Sequence, residues 1–329
     1  MHIIQVQPEY GTLLDAVVAL QAAVDAVDCP WHNGLTARAL RTRLTLGWDG
    51  EPMQWYAGLC DGQVVAVAEL WIPMRDNRNS AWFGVGVDPR RRREGLGGQL
   101  VDHLEELATE AGRTVLGVWG WESVAATAFA AHLGYELKYV GACRRVTLAD
   151  VPAELVDAAY REARAAAADY DLVRIAGPLT DEQIADSLPV VASINDAPTD
   201  ELVIEDEVFT IERVRAYDEA QLDWGARMYR VWARHRDTGE VAGHTVVAVD
   251  EDRPHLGDQH DTTVLPKHRG HRLGLLLKAD MMRWLREAEP ALETITTGNA
   301  ESNAHMIAVN ERLGYRVLAR NMEFQRVVG

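Results

Sequence analysis

Residues 88–100, DPRRRREGLGGQL, place four consecutive arginines before two glycines and the start of an apolar-periodic segment. The first turn of a helix carries unpaired N–H groups and the positive end of the helix dipole, and glycine lets the backbone approach a ligand closely. Arginines beside such a turn add charge-assisted hydrogen bonds to an anion. The segment therefore predicts a phosphate-binding loop. Taken alone, the same residues also fit a solvated helix start with a basic surface run.

The same unit returns in the second half, as residues 264–277, VLPKHRGHRLGLLL. An alignment without gaps pairs Val87 with Val264, Pro89 with Pro266, Arg92 with Arg269, Leu96 with Leu273, Gly97 with Gly274, and Leu100 with Leu277. Further along, HLGY at 132–135 matches RLGY at 312–315. A repeat of this kind indicates an internal duplication and favours the phosphate-binding interpretation over a chance basic run.

Strand and helix patterns alternate in the same order in each half, and this order sets the predicted domains. We expect a first domain over residues 1–150 and a second over residues 170–329. Residues 151–169 begin with a proline and continue as an alanine-rich segment, which predicts a linking helix.

The composition limits the class of protein. The chain has 329 residues, a formal net charge of −17 and 47% hydrophobic residues. The acidic balance argues against sequence-independent nucleic-acid binding, and no apolar run reaches the length of a membrane span. The start of the chain lacks a secretory-signal pattern, and the three cysteines lie far apart, without metal-ligand spacing. We therefore expect a cytoplasmic protein with no metal, no membrane and no nucleic-acid partner.

Two motifs carry a family resemblance. RREGLG at 92–97 and RGHRLG at 269–274, where Arg272 replaces a glycine, precede predicted helices, and NAHMIAVNERLGY spans 303–315. With these motifs the chain resembles two GCN5-related N-acetyltransferases (GNAT) in tandem. The resemblance implies an α+β fold, in which each half has a mixed, mostly antiparallel central sheet flanked by helices. It extends to two-domain actinobacterial members, such as mycothiol synthase and acetyltransferases of antibiotic (clavam) clusters.

The resemblance also implies an acetyl-CoA site in each half. The pyrophosphate would lie on backbone amides, and the edges of the preceding strands would pair with the pantetheine arm. The implied residues of the first half are Val87, Arg92, Arg93, Glu94, Gly95, Leu96, Gly97 and Gly98. Those of the second half are Val264, Leu265, Arg269, Gly270, His271, Arg272, Leu273, Gly274, Leu275, Asn299 and Asn303.

The catalytic residues depart from the family pattern. The family often uses a tyrosine to protonate the leaving thiolate, and Asn310 and Ala130 stand at that position in the two halves. Asn310 still donates a hydrogen bond, whereas Ala130 cannot. The strand before the second loop offers Asp261 as the first candidate base, His260 as the second, and Asp258 besides. Strand alternation predicts that His260 and Asp261 face opposite sides. We therefore expect the second half to be the catalyst.

The acceptor is predicted from charge. Residues 195–210, NDAPTDELVIEDEVFT, are acidic and could attract a cationic amine, although such runs are usually solvated surface. The leading hypothesis is an acetyl-CoA-dependent N-acetyltransferase for a small amine, in secondary or thiol metabolism, acting as a monomer or homodimer. The alternatives are a non-catalytic acyl-CoA-binding regulatory module and a protein N-acetyltransferase.

Overall fold

The computed structural model of the chain describes residues 1–328, and these form twelve β-strands and nine α-helices. The strands are β1 (His2–Val6), β2 (Gln54–Cys60), β3 (Gln63–Trp71), β4 (Ser80–Val87), β5 (Val115–Trp121), β6 (Glu136–Thr147), β7 (Tyr170–Ala176), β8 (Ala226–His235), β9 (Val241–Asp250), β10 (Leu256–Val264), β11 (Thr294–Ala300) and β12 (Arg316–Val327). The helices are α1 (Gly11–Asp28), α2 (Ala37–Thr45), α3 (Leu96–Glu110), α4 (Val124–His132), α5 (Ala153–Ala166), α6 (Asp181–Ala192), α7 (Ile211–Trp224), α8 (Leu273–Ala288) and α9 (Ala304–Arg312).

The chain forms two compact units. Unit 1 comprises Met1–Val140, Glu201–Asp206 and the chain from Asn321 to the end of the described residues. Unit 2 comprises Gly141–Asp200 and Glu207–Arg320. The units therefore differ from the predicted domains 1–150 and 170–329 in the strands that close each half, and residue 329 lies outside the described residues.

The sheet of unit 1 has the order β1-β2-β3-β4-β5-β12. Only β4 and β5 run parallel. The closing strand comes from the end of the chain, because residues 321–327 of β12 pair with the whole of β5. Ladder hydrogen bonds along this edge explain why this segment belongs to unit 1.

The sheet of unit 2 has the corresponding order β7-β8-β9-β10-β11-β6. Only β10 and β11 run parallel. Its closing strand is the second half of β6, whose residues 141–147 pair with β11. Two mostly antiparallel mixed sheets flanked by helices confirm the predicted fold class.

The core of unit 1 covers both faces of its sheet. On one face, Leu100 and Leu104 of α3 pack with Phe83 and Leu116 of the sheet, and all four are fully or almost fully buried. On the other face, α1 contributes a second apolar cluster over β2 and β3. Burial of apolar surface contributes about 25 cal/mol per Å² to the free energy of folding, and this contribution holds the helices of both faces against the strands.

The core of unit 2 includes the helix that we expected to link the two domains. The buried residues of α5, Val156, Ala159 and Ala163, follow helical spacing and lie in one cluster with Leu276 and Leu277 of α8. This apolar stripe holds α5 against α8, so the helix is part of the core of unit 2.

Among residues 1–328, none of the helices combines the length and the apolar character that a membrane span requires.

Four helices begin with a side-chain cap, whereas α3 and α8 begin without one. Thr36, Thr180, Thr210 and Ser123 each accept a hydrogen bond from a backbone N–H of the helix that they precede. Such caps satisfy N–H groups that otherwise have no partner. Helices α3 and α8 begin instead at left-handed residues and have no side-chain cap. Their first N–H groups are therefore available to a ligand.

Candidate active site

The two loops before α3 and α8 share one backbone conformation. Arg93 and Gly95 have φ of 68° and 78°, and Gly270 and Arg272, which align with them, have φ of 87° and 58°. A residue other than glycine in this left-handed region costs about 1–2 kcal/mol. Arg272 nevertheless keeps the conformation that the expected glycine would adopt. Its departure from the motif therefore leaves the shape of the second loop intact.

Open space lies over the first turn of both helices. Gly274 of α8 is buried, yet a Cβ built on it would meet no atom within 4 Å. A Cβ on Gly98 of α3 would also meet nothing within 4 Å, whereas one on Gly97 would come within 3.3 Å of Phe129. Uncapped amides beneath open space form a site that a phosphate group fits. Both loops therefore fit the pyrophosphate of an acyl-CoA.

The arginine run of the first loop is mostly neutralised. The first three arginines each pair with a carboxylate: Arg90 with Asp88, Arg91 with Glu94, and Arg92 with Asp28. Arg92 also donates from Nε to the carbonyl of Val87 at 3.4 Å, and this contact ties the loop to the end of β4. Among the described residues, only Arg93 of the run is exposed without an ion-pair partner. Arg93 is therefore the side chain of the run that keeps its charge exposed to solvent.

The second loop uses its basic residues in the same way. Lys267 pairs with Glu240, Arg269 with Asp196, and Arg272 with Glu162. Arg269 donates from Nε to the carbonyl of Val264 at 3.1 Å, as Arg92 does in unit 1. Both arginines thus hold the loop against the strand. The basic side chains Lys267, Arg269 and Arg272 are therefore all engaged within the protein.

The remaining loop residues contribute through their backbone. Leu96, Leu265, Leu273 and Leu275 are buried apolar side chains. The ring of His271 lies 5.6 Å from the ring of Tyr170.

Each sheet opens at its parallel strand pair. The pairing of β4 with β5 ends at Phe83 and Val118, and the pairing of β10 with β11 ends at Gln259 and Thr297. Beyond these points β4 and β10 remain paired on their other edge, up to Val87 and Val264. Backbone amides at a free strand edge are strong hydrogen-bonding groups. The two open edges can therefore pair with an amide-containing arm such as pantetheine.

A β-bulge distinguishes the opening of unit 2. The pairing of β10 with β9 shifts between Gln259 and Thr262, so that His260 and Asp261 together oppose one residue. The pairing of β4 with β3 has no such shift. A bulge re-aims side chains and breaks strict alternation. The bulge therefore removes the strict alternation on which the predicted opposite orientation of His260 and Asp261 rests.

The electrostatics favour Asp261 as the base. Burial, together with the charge of Glu207, raises the pKa of Asp261 to about 6. Burial, together with the charge of Arg230, lowers the pKa of His260 to about 4, and its Nδ1 lies 2.5 Å from the hydroxyl of Tyr217. A base whose pKa lies near the working pH transfers protons efficiently. Asp261 meets this condition, whereas His260 is neutral, weakly basic and already hydrogen-bonded.

The opening of unit 1 is filled by an indole ring. Trp119, one residue beyond the last pair of β4 and β5, stacks on Trp82 with ring centroids 6.2 Å apart. Its Nε1 donates to Glu69 at 2.8 Å, and a Cβ on Gly84 would lie 2.7 Å from that nitrogen. The corresponding position in unit 2 is Gly298, where a Cβ would meet nothing within 4 Å. Unit 2 thus keeps open the space that Trp119 occupies in unit 1.

The asparagines of the second motif have structural contacts. Asn303 caps α9 by accepting a hydrogen bond from the backbone N–H of Met306 at 3.1 Å. Asn310 is fully buried and donates from Nδ2 to Asn299 at 3.2 Å, while its own Oδ1 has no partner. Ala130, at the aligned position in unit 1, is also buried. Asn310 therefore lies beneath the site as a hydrogen-bonding group, and Ala130 supplies none.

The acidic segment does not form one free acidic surface. Its carboxylates have separate partners: Asp196 with Arg269, Asp200 with Ser302, Glu201 with Lys138, Glu205 with Asn77, and Glu207 with Arg213. Residues Glu201–Asp206 belong to unit 1 and the flanking residues to unit 2. Three of the six carboxylates of the segment, those of Asp196, Glu201 and Glu207, pair with a cationic side chain, so the segment does not present all of its negative charge to a cationic amine.

A buried ion pair supports the helix that carries Tyr217. Arg230 of β8 binds Asp218 of α7, and both side chains are almost fully buried. Burial raises the pKa of Asp218 in spite of this partner. We expect Arg230→Met to reduce the free energy of unfolding by about 3–5 kcal/mol, because it leaves a buried carboxyl group unpaired.

Chemical denaturation of the full chain measures this effect. The matched control is Arg234→Met on the same strand, because Arg234 pairs with the more exposed Asp186 at 2.9 Å. That control should change the free energy of unfolding by no more than about 1 kcal/mol. Equal effects of the two changes would contradict the special role of the Arg230–Asp218 pair.

Comparisons with known proteins agree with this geometry. The chain matches the model of the Acetyltransferase (GNAT) family over residues 21–135 and 197–315, well over half of its length. It resembles the structure of a tandem GNAT protein from the clavulanic acid biosynthesis pathway, with 24% identity, a TM-score of 0.81, and coverage of 100% of this chain and 98% of the other. It also resembles a GCN5-related N-acetyltransferase from Sphaerobacter thermophilus, with 17% identity, a TM-score of 0.67, and coverage of 99% and 95%.

None of the curated proteins matches the chain in sequence. The solved structures are less than 25% identical and show the fold, whereas the family model matches once in each half. The chain belongs to the GNAT acetyltransferase family, with two GNAT repeats in tandem.

Proposed function

We propose that unit 2 transfers an acetyl group from acetyl-CoA to the amine of a small molecule, with Asp261 as the general base. The observation that carries the proposal is the bulge at His260 and Asp261, which lies where β10 leaves β11, opposite the open space at Gly298. Family membership supports acyl transfer in general. The choice of acetyl donor and amine acceptor is the finer step that we propose.

The loop before α8 would hold acetyl-CoA by its pyrophosphate. Open space lies beside Gly270 and Gly274, and α8 has no side-chain cap, so the backbone N–H groups from Gly270 to Leu275 would bind the pyrophosphate. The free edge of β10 up to Val264 would pair with the pantetheine arm. Bound acetyl-CoA supplies an activated acetyl thioester. An edge N–H that points at the carbonyl oxygen would stabilise the negative charge that develops there, as in an oxyanion hole.

Asp261 would prepare the amine for attack. An ammonium group cannot act as a nucleophile, so it must first lose a proton. Asp261 is ionised above its pKa of about 6 and can accept that proton directly or through one water. Its negative charge also attracts a cationic amine to the bulge.

Asn310 supports the leaving group only indirectly. Its amide is fully buried and bonded to Asn299, and it lacks the acidic proton of the tyrosine that stands there in other family members. The leaving thiolate therefore takes its proton from another donor, such as the amine through bound water. Asn310 fixes β11 against α9 at the edge of the site.

We assign unit 1 the role of acyl-CoA binding without transfer. Its loop has the same left-handed pair and open amides, and Arg93 has no ion-pair partner among the described residues. The stack of Trp119 on Trp82, however, fills the place at which an amine would approach. Strand β4 also has no ionisable side chain where the sheet of unit 1 opens.

The likeness to a protein of the clavulanic acid pathway supports secondary metabolism as the setting, with thiol metabolism as the second choice. The test is incubation of the full chain with acetyl-CoA and a panel of small primary amines, followed by mass spectrometry of the products. We expect one acetylated amine per CoA released. If acetyl-CoA binds but no amine is acetylated, the protein is a binding module rather than an enzyme.

A further inference from the structure

A cluster of side chains of the types that bind metal ions lies at the end of α1 in unit 1. Asp25 and Cys29 lie at the end of α1, and His32 follows in the next turn. One ligand atom of each lies within 4.8 Å of the others. Among residues 1–328, this is the one set of three or more histidine, cysteine or acidic side chains that converges so closely.

The spacing explains the convergence. Cys29 follows the last residue of α1, and its backbone N–H donates to the carbonyl of Asp25 at 2.8 Å, which keeps the two residues one helical turn apart. The chain then turns back, because the backbone N–H of His32 donates to the carbonyl of Cys29 at 2.8 Å. This turn brings Nδ1 of His32 to 3.1 Å from Oδ2 of Asp25. That separation is close to the distance between two ligand atoms on one tetrahedral metal ion.

Burial and charge suit a divalent ion of intermediate softness. Cys29 is 3% exposed and Asp25 is 8% exposed, whereas the side chain of His32 is 42% exposed. A thiolate and a carboxylate together balance two positive charges, and the imidazole adds a neutral ligand. Thiolate, imidazole and carboxylate are the ligands that zinc prefers in proteins. The exposed imidazole leaves a path from solvent.

Neighbouring groups orient these ligands. Gln21 donates to Oδ1 of Asp25 at 2.7 Å, which leaves Oδ2 on the side of His32. The ring of His32 lies 6.0 Å from that of Trp121, and Trp121 meets Trp31 edge to face at 6.1 Å. Hydrogen bonds and packing of this kind fix ligand orientation at metal sites.

We propose that Asp25, Cys29 and His32 bind one zinc ion, with a fourth position open to water. Binding forms a sulfur–zinc bond and releases the thiol proton to solvent.

The test begins with the full chain, from which a chelator removes any bound metal. The chelator is then removed, zinc is added, and zinc binding is measured. We expect one zinc per chain by elemental analysis after dialysis. Cobalt(II) in place of zinc should give a thiolate charge-transfer absorption in the near ultraviolet and the visible bands of a tetrahedral ion. Both metals can be measured without any acyl-transfer assay.

Two variants and one control complete the experiment. Cys29→Ser should abolish the charge-transfer absorption, and His32→Gln, at a half-exposed position that folding tolerates, should weaken zinc binding at least about 100-fold. Cys60→Ser, at a half-buried cysteine of β2, should leave one zinc per chain. Zinc binding that is unchanged in both the Cys29 and His32 variants, or absent from the unaltered chain, would overturn the proposal.

Discussion

Asp261→Asn is expected to lower kcat/KM for acetyl transfer by about 100- to 10,000-fold, the range that a general base contributes. Asparagine has nearly the same shape as aspartate but cannot accept the amine proton. Burial disfavours the charged form of Asp261, so replacing this carboxylate by a neutral amide should not destabilise the fold. Binding of acetyl-CoA, measured by calorimetry, should remain unchanged.

Two neighbours on the same strand serve as controls. Asp258→Asn makes the same chemical change at an exposed position before the bulge and should leave kcat/KM within about threefold. His260→Gln should have a smaller effect than Asp261→Asn, because His260 is neutral above a pKa of about 4 and bonded to Tyr217. A larger loss for His260→Gln would assign the base to histidine instead.

The pH dependence gives an independent measure of the same group. The base must be ionised, and burial raises the pKa of Asp261 from 3.8 to about 6. The rate should therefore rise about tenfold per pH unit below pH 6 and reach a plateau above that pKa. Asp261→Asn should remove this limb from the profile. A limb that persists in the variant would show that another residue titrates.

The sequence predicted the order of strands and helices and the positions of the two glycine-containing loops before α3 and α8, because these depend on local patterns. The glycine motifs and the proline turns specify each loop within about ten residues. The strands that close the sheets depend on pairing between distant residues. Nothing local in β12 indicates that it pairs with β5, or that the second half of β6 pairs with β11.

The site was predicted in part. The strand carrying Asp261 was identified, but the bulge was not, because one extra residue in β10 is visible only in its register with β9. Tyr217 and Gly298 were missed for a similar reason. Tyr217 lies on α7, far from His260 in the sequence. Gly298 becomes important only when it is compared with Trp119 of unit 1.

The metal-ligand cluster shows another limit of spacing rules. The cysteines form no pairs in the sequence, whereas the groups that converge are one carboxylate, one thiol and one imidazole. Asp25 and Cys29 lie four residues apart at the end of α1, a spacing that the sequence contains. The approach of His32 depends on the turn after α1, and no pattern in the sequence specifies that turn.

Gly274→Glu is expected to weaken acetyl-CoA binding to unit 2 about 100-fold or more. A carboxylate in the first turn of α8 would enter the open space over the helix start and repel the pyrophosphate. The loss of two charge-assisted hydrogen bonds, each about 1.5–3 kcal/mol, accounts for this magnitude. An acidic residue in the first turn of a helix also favours the helix itself, so the variant should fold.

Calorimetric titration with acetyl-CoA separates the two units. The unaltered chain should bind two molecules, Gly274→Glu should retain only the site of unit 1, and Gly98→Glu, at the open glycine of α3, should retain only the site of unit 2. Turnover should be lost in Gly274→Glu and kept in Gly98→Glu, because Trp119 closes the acceptor side of unit 1. Gly274→Ala adds only a Cβ in open space and should bind normally. Turnover that survives Gly274→Glu and disappears with Gly98→Glu would transfer the catalytic role to unit 1.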